Sequence, residues 1–124
     1  MGKGVNKPGI GFKFAWQGIT WVIINERNMK IHLALAMLAA AAGLWTGVST
    51  WELVVLSLVI TLVLALEMVN SAVEQVVNLY IGTEFHPVAK KVKDIAAGAV
   101  LLAAINAVII GTIIFWPKFK QMLW

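Results

Sequence analysis

The sequence predicts an all-α integral membrane protein: an N-terminal interfacial amphipathic helix followed by three transmembrane helices, in a single membrane domain over residues 1–124. Three observations carry this. First, 60% of the 124 residues are hydrophobic and the mean hydropathy is +0.86, too apolar for a soluble domain and too short for more than one helical bundle. Second, of the 10 Lys and Arg and 6 Asp and Glu residues, only Glu52 falls inside the stretches Ile31–Leu66 and Ile95–Pro117. Those stretches are long enough to cross about 30 Å of hydrocarbon and hold almost no ionic group. Third, Lys3, Lys7, Lys13, Arg27 and Lys30 precede the first span and Lys90, Lys91 and Lys93 lie between the second and third, while the other side has only Lys118 and Lys120. This bias predicts that the N-terminus and the 81–93 loop face the cytoplasm. The net charge of +4 then reports topology and anionic headgroups, and calls for no nucleic acid.

The elements follow in order. Between residues 8 and 28, Ile10, Phe14, Trp16, Ile19, Trp21, Ile23 and Ile24 are interleaved with Lys13, Gln17 and Thr20, a pattern for a helix lying in the headgroup region. Pro8 suits its first turn, and the tryptophans suit its depth. Lys13 and Gln17 interrupt the early apolar stretch, and no small-residue cleavage site precedes Glu26 and Arg27. The N-terminus is therefore expected to stay in the mature chain. Spans are expected at 31–48, 53–80 and 88–116, the last opening at Val88 or Val92. Ala39, Gly43 and Gly47 in the first, and Ala99, Ala103, Ala107 and Gly111 in the third, recur every four residues. Such ridges let helices approach closely in lipid, within one protomer or between protomers.

The second span holds the expensive feature. Glu67, Asn70, Ser71, Glu74 and Asn78 fall within about 100° of one another on an otherwise apolar helix. Running from Leu53 to Tyr80, that helix would be about 42 Å long, with Glu67 about 21 Å and Glu74 about 32 Å from its outer end. The first carboxylate is thus expected in hydrocarbon and the second near the headgroups. Their separation of about 10 Å is too great for one metal ion bridged directly by both. It suits a phosphate group and its ion between a lipid hydroxyl and a water-borne nucleotide. Phosphoryl transfer needs alignment and charge neutralisation, and Mg²⁺ is held by one or two carboxylates plus phosphates. A carboxylate in low dielectric is a stronger proton acceptor than one in water, so Glu67 is the candidate general base and Glu74 the candidate metal ligand. A packing or ion-path role for the same stripe stands beside this reading.

Other residues extend the pattern. Glu26, at the junction of the interfacial helix and the first span, is either the partner of Glu74 at the same depth or an exposed charge paired with Arg27 or Lys30. His86-Pro87 precedes Lys90, Lys91, Lys93 and Asp94 where the third span opens, a place whose free N–H groups and cations favour phosphate. Lys90 and Lys91 are equally accounted for by the positive-inside bias. His32 reads as an interfacial polar residue rather than a ligand. With no cysteine and one other histidine, disulfides, thiolate sites and His/Cys zinc clusters are excluded. No GxxxxGK[ST] or GxGxxG segment is present, which excludes a soluble-kinase phosphate loop. Three thin helices enclose a polar edge poorly, so a homo-oligomer is expected, with a monomer as the alternative.

Glu67-Met-Val-Asn-Ser-Ala-Val-Glu74, followed by Lys93-Asp-Ile-Ala-Ala-Gly-Ala-Val100, resembles the signature of the prokaryotic diacylglycerol kinase and undecaprenol kinase family over nearly the whole chain. The resemblance implies a homotrimer in the prokaryotic cytoplasmic membrane, with active sites between neighbouring subunits at the cytoplasmic surface, MgATP as donor and a lipid alcohol as acceptor. It implies Glu67 as catalytic base, Glu26 and Glu74 as ligands of Mg²⁺, Asn70 as an active-site polar residue, and Lys93 and Asp94 as nucleotide contacts. Glu84 and His86 are matched to the nucleotide site as well. Glu26-Arg-Asn-Met-Lys-Ile-His32 and His86-Pro-Val-Ala-Lys90 look more like the undecaprenol kinase branch than the diacylglycerol kinase branch. Two departures from the pattern are Asn78, where relatives usually carry Asp, and a segment 80–85 that is one residue longer.

Undecaprenol is accordingly the expected acceptor, with diacylglycerol the alternative within the family. From other classes, a small oligomeric channel or transporter subunit would use the stripe as an ion path. A structural membrane partner would use only the small-residue ridges.

Overall fold

The computed structural model describes residues 10–124, apart from the side chain of Ile10, as four helices: α1 (Ile10–Asn25), α2 (Arg27–Thr46), α3 (Thr50–Ile81) and α4 (Pro87–Leu123). Pro8, Lys3 and Lys7 lie outside the described residues. The helices α2, α3 and α4 are each long and apolar enough to cross a membrane, so the chain is a multi-pass membrane protein built as an all-α bundle.

Local chemistry sets the ends. Glu26 interrupts the first two helices with an extended backbone, φ −104° and ψ 118°, and caps α2 without any side-chain capping bond. Its carboxylate is thereby free for other partners. Gly47 closes α2 at φ 72°, and its N–H and that of Val48 both donate to the Gly43 carbonyl at 3.1 Å. A side chain at Gly47 would be strained in that left-handed conformation.

Helix α3 starts at Thr50, three residues earlier than the apolar run suggests, because Ser49 and Glu52 form a capping box. Ser49 Oγ accepts from the Glu52 N–H at 3.2 Å, and the Ser49 N–H donates to Glu52 Oε1 at 2.9 Å. Glu52 also meets Lys118 Nζ at 2.9 Å, which accounts for the one charge inside the apolar stretches. Helix α4 starts with Pro87 in its first turn and runs through Pro117 to Leu123, beyond the expected stop at 116. Pro117 removes one N–H from the helix ladder. The turns beyond it are held by the Lys118–Glu52 pair and by Phe119, whose ring stacks on Phe115 at 5.8 Å and tilts against Trp45 at 6.5 Å.

The closest packing is between α3 and α4, with α2 leaning mainly on α3 and α1 touching both α2 and α3. The buried apolar core is small: Val22, Met29, Leu56, Val63, Ala89, Val100, Ala103 and Ile114. Lipid gives apolar side chains no reason to leave the surface, so close approach rests on small residues and on the polar edge. Ala103 is buried, while Ala107 and Gly111 line a cavity between α2, α3 and α4. Gly43 faces Val48 and Leu56. These parts of both ridges serve packing within one protomer.

Candidate active site

The polar edge of α3 is the organising element. Its regular 3.6-residue period carries Glu67, Asn70, Ser71, Glu74 and Asn78 along one side. Their burial falls steadily: Glu67 is 2% exposed, Ser71 2% and Asn70 4%, Glu74 is half-buried and Asn78 exposed. The edge therefore leads from a sealed interior to an open end.

Two hydrogen bonds organise the middle of the edge. Ser71 Oγ donates to Glu26 Oε1 at 3.1 Å, so the carboxylate at the α1–α2 break is drawn onto α3. Asn70 Nδ2 donates to Glu74 Oε1 at 3.4 Å, while its Oδ1 is buried without a partner among the described residues. Glu26 and Glu74 both lie close enough to act electrostatically on Glu67. Ser71 thus ties Glu26, and Asn70 ties Glu74, to the same edge of α3 that carries Glu67. Glu26 has no ion pair with Arg27 or Lys30 among the described residues.

Glu67 has one ion-pair partner, His32, whose Nε2 lies 3.7 Å from Oε2. This corrects the reading of His32 as a merely interfacial residue: its side chain is 19% exposed and directed at the sealed carboxylate. Within Ile31–Trp45, His32 is the one residue that is not apolar. A lone imidazole on an apolar helix is a signal for a buried polar partner. Ser71 was visible on the edge, but its contact with Glu26 spans two elements and is outside what periodicity reveals.

At the open end, Lys93 Nζ donates to Asn78 Oδ1 at 2.6 Å, joining α4 to α3. Asp94 is not joined to Lys93 but to Lys90, at 2.6 Å one helical turn away. His86 caps α4, its Nδ1 accepting from the Val88 N–H at 3.2 Å. Glu84 is exposed, and its N–H donates to the Ile81 carbonyl at 3.2 Å. Glu84, His86, Lys93 and Asp94 all line one surface cavity of about 350 Å³, with Ile81 and Phe85 as apolar walls. The four residues read as nucleotide contacts are therefore brought together, two by the loop and two by the first turns of α4.

Among the described residues no three His, Asp or Glu side chains form a metal cage. A Mg²⁺ ion that shares its shell with phosphate and water needs only one or two carboxylates. The chemistry of Glu26 and Glu74, with the unpartnered Asn70 oxygen on the same edge as Glu74, fits that requirement.

Comparison with known proteins identifies the family. Residues 13–115 match the model of the family described as prokaryotic diacylglycerol kinase. A diacylglycerol kinase of Synechocystis sp. is 38% identical over 114 residues, which cover 92% of this chain and 65% of that protein. An undecaprenol kinase of Bacillus subtilis is 39% identical over 107 residues, covering 86% of each chain. A diacylglycerol kinase of Escherichia coli is 35% identical over 106 residues, again 86% of each. With three apolar helices and bacterial relatives, the protein is a multi-pass prokaryotic membrane protein. The match over most of its length shows that the chain belongs to the prokaryotic diacylglycerol kinase family, a family of ATP-dependent lipid kinases.

Proposed function

We propose that this chain transfers the γ-phosphate of MgATP to the hydroxyl of undecaprenol, at the cytoplasmic face of the inner membrane and as a homotrimer. The observation that carries the proposal is the burial gradient along α3, from the sealed carboxylate of Glu67 to the half-buried Glu74, with Glu26 joined to the same edge through Ser71. A lipid hydroxyl reaches the first end from hydrocarbon and a nucleotide reaches the other from water.

Glu67 accepts the hydroxyl proton as the acceptor oxygen bonds to the γ-phosphorus. The bond from that phosphorus to its bridging oxygen breaks, and ADP leaves with the electron pair. Glu26 and Glu74 would hold Mg²⁺, with Asn70 beside them. When bound, the ion neutralises phosphate charge. Lys93 supplies a cationic donor to the phosphates, and its partner Asn78 is a neutral amide that holds the ammonium without cancelling its charge. Asp94, Glu84 and His86 are assigned to the nucleotide through the cavity that they share.

Undecaprenol is favoured by the segments Glu26–His32 and His86–Lys90 and supported by the likeness to the Bacillus subtilis undecaprenol kinase. The diacylglycerol reading is favoured by the names of the Synechocystis and Escherichia coli relatives. Supplying the purified chain in bilayers with labelled ATP, Mg²⁺ and both alcohols decides between them. Label in undecaprenyl phosphate is the expected result. Preferential labelling of diacylglycerol overturns the acceptor assignment, and label in neither overturns the kinase reading of this chain. An ion-path role predicts conductance without ATP and leaves the Glu84–His86–Lys93–Asp94 cavity unexplained.

A further inference from the structure

We infer that His32 is a positioning residue for the general base: its Nε2–H fixes the carboxylate of Glu67 so that one oxygen stays aimed at the acceptor hydroxyl. The inference rests on the reading of Glu67 as the base and goes beyond it, because neither the edge of α3 nor the loop contributes this group.

Four observations support it. Glu67 is almost wholly buried, and His32 is its single ion-pair partner among the described residues, at 3.7 Å. His32 comes from α2, so the contact crosses between elements and holds the carboxylate from the side opposite its own helix. The ring also lines a cavity of about 260 Å³ whose other walls, including Leu35, Ala36, Val63 and Leu64, are all apolar. No other side chain lining that cavity competes for its nitrogens. Finally, the other polar groups beside Glu67 come from its own helix: Ser71 is engaged with Glu26, and the Asn70 amide, which donates to Glu74, also lies within reach of Glu67, so His32 is the one donor that reaches the carboxylate from another element.

A distance of 3.7 Å is a loose contact. Such contacts in unliganded sites tighten when the reacting groups are seated. An Nε2–H, present in the imidazolium and in one neutral tautomer, gives the carboxylate a donor on Oε2 and leaves Oε1 for the alcohol proton. Without that donor the carboxylate is held only from its own helix, through Asn70, and a misplacement of about 1 Å at a reacting group costs on the order of 100-fold in rate.

Three variants of the full chain in bilayers, with ATP, Mg²⁺ and the lipid alcohol, test this. His32→Phe keeps the ring's bulk and removes the donor. It is expected to lower kcat by about 10- to 100-fold, leaving the KM for MgATP within about twofold. His32→Gln restores a donor and is expected to recover most of that loss, a rescue that a purely structural role would not give. Thermal unfolding in detergent, unchanged between the two, separates positioning from folding. Full turnover by His32→Phe, or equal impairment of His32→Phe and His32→Gln, overturns the inference while leaving the base reading intact. Full turnover by Glu67→Gln overturns the base reading and the inference with it.

Discussion

At the scale of single residues, the two ends of the α3 edge are expected to fail differently. Glu67→Gln keeps the shape and loses the proton acceptor, so phosphoryl transfer should fall by at least about 100-fold while nucleotide binding persists. Glu74→Gln should instead weaken Mg²⁺-dependent nucleotide binding, measured by titration at several Mg²⁺ concentrations. Normal turnover or unaltered binding would remove the respective role. Ser71 gives a subtler test, because its hydroxyl holds Glu26 against α3 at 3.1 Å. A hydrogen bond to a charged group contributes about 1.5 kcal/mol or more, so Ser71→Ala should raise the Mg²⁺ concentration for half-maximal activity about tenfold. An unchanged Mg²⁺ requirement would show that Glu26 does not need this anchor. Much of the site was legible at this scale. The 3.6-residue period alone selects Glu67, Asn70, Ser71 and Glu74, and the depth count orders them as the burial gradient does. His32 stands out in the sequence only as a lone imidazole on an apolar helix, and its partner was not legible, because periodicity describes one helix and this contact crosses to another. Given the Ser71–Glu26 bond between antiparallel helices, Glu67 must face a position a few residues beyond Glu26. His32 lies there.

At the scale of elements, the helices were legible from apolar runs, and their ends from local chemistry that apolar runs ignore. Glu52 illustrates this: as a charge it marks the limit of a hydrophobic stretch, yet as the third residue of a capping box it belongs inside α3. Ser49→Ala should destabilise the fold by about 1 kcal/mol, the usual value of an N-cap hydroxyl, and lower the thermal unfolding midpoint. Lipid kinase activity at ambient temperature should be unchanged, since this turn is at the opposite end of α3 from Glu74. A loss of activity without a loss of stability would contradict this separation of roles. The end of α4 was misjudged for a related reason. The uncharged stretch ends at Pro117, which also removes a backbone donor, so the expected span stops at 116, but the Trp45–Phe119 contact and the Lys118–Glu52 pair form only once α2, α3 and α4 are assembled. Tertiary contacts overrode a local rule.

At the scale of the whole molecule, one protomer brings Glu26, Glu67, Asn70 and Glu74 to one edge and groups Lys93, Asp94, Glu84 and His86 around a cavity at its open end. The two groups are linked through Asn78, about 16 Å along the helix from Glu67 at 1.5 Å per residue. A nucleotide could join them within one chain or reach from one subunit's cavity to the next subunit's edge, and the proposed homotrimer with shared sites requires the second. Subunit mixing distinguishes the two arrangements. Glu67→Gln and Lys93→Ala should each be inactive alone. If each site takes its edge from one subunit and its cavity from the next, every mixed ring contains one intact pair among its three interfaces. With equal amounts and random assembly three quarters of the rings are mixed, so activity should return to about one quarter of the unmutated level in a head-to-tail threefold assembly. Sites confined to one chain would return nothing at any ratio, because no subunit in the mixture carries both groups. Mixing must be done by unfolding and joint refolding, or by co-expression, so that rings exchange subunits. Mass measurement in detergent should then give three copies of the 13.5 kDa chain. A monomer or dimer would overturn the trimer, and activity near one quarter with three copies present would establish that each chain supplies half of its neighbour's site.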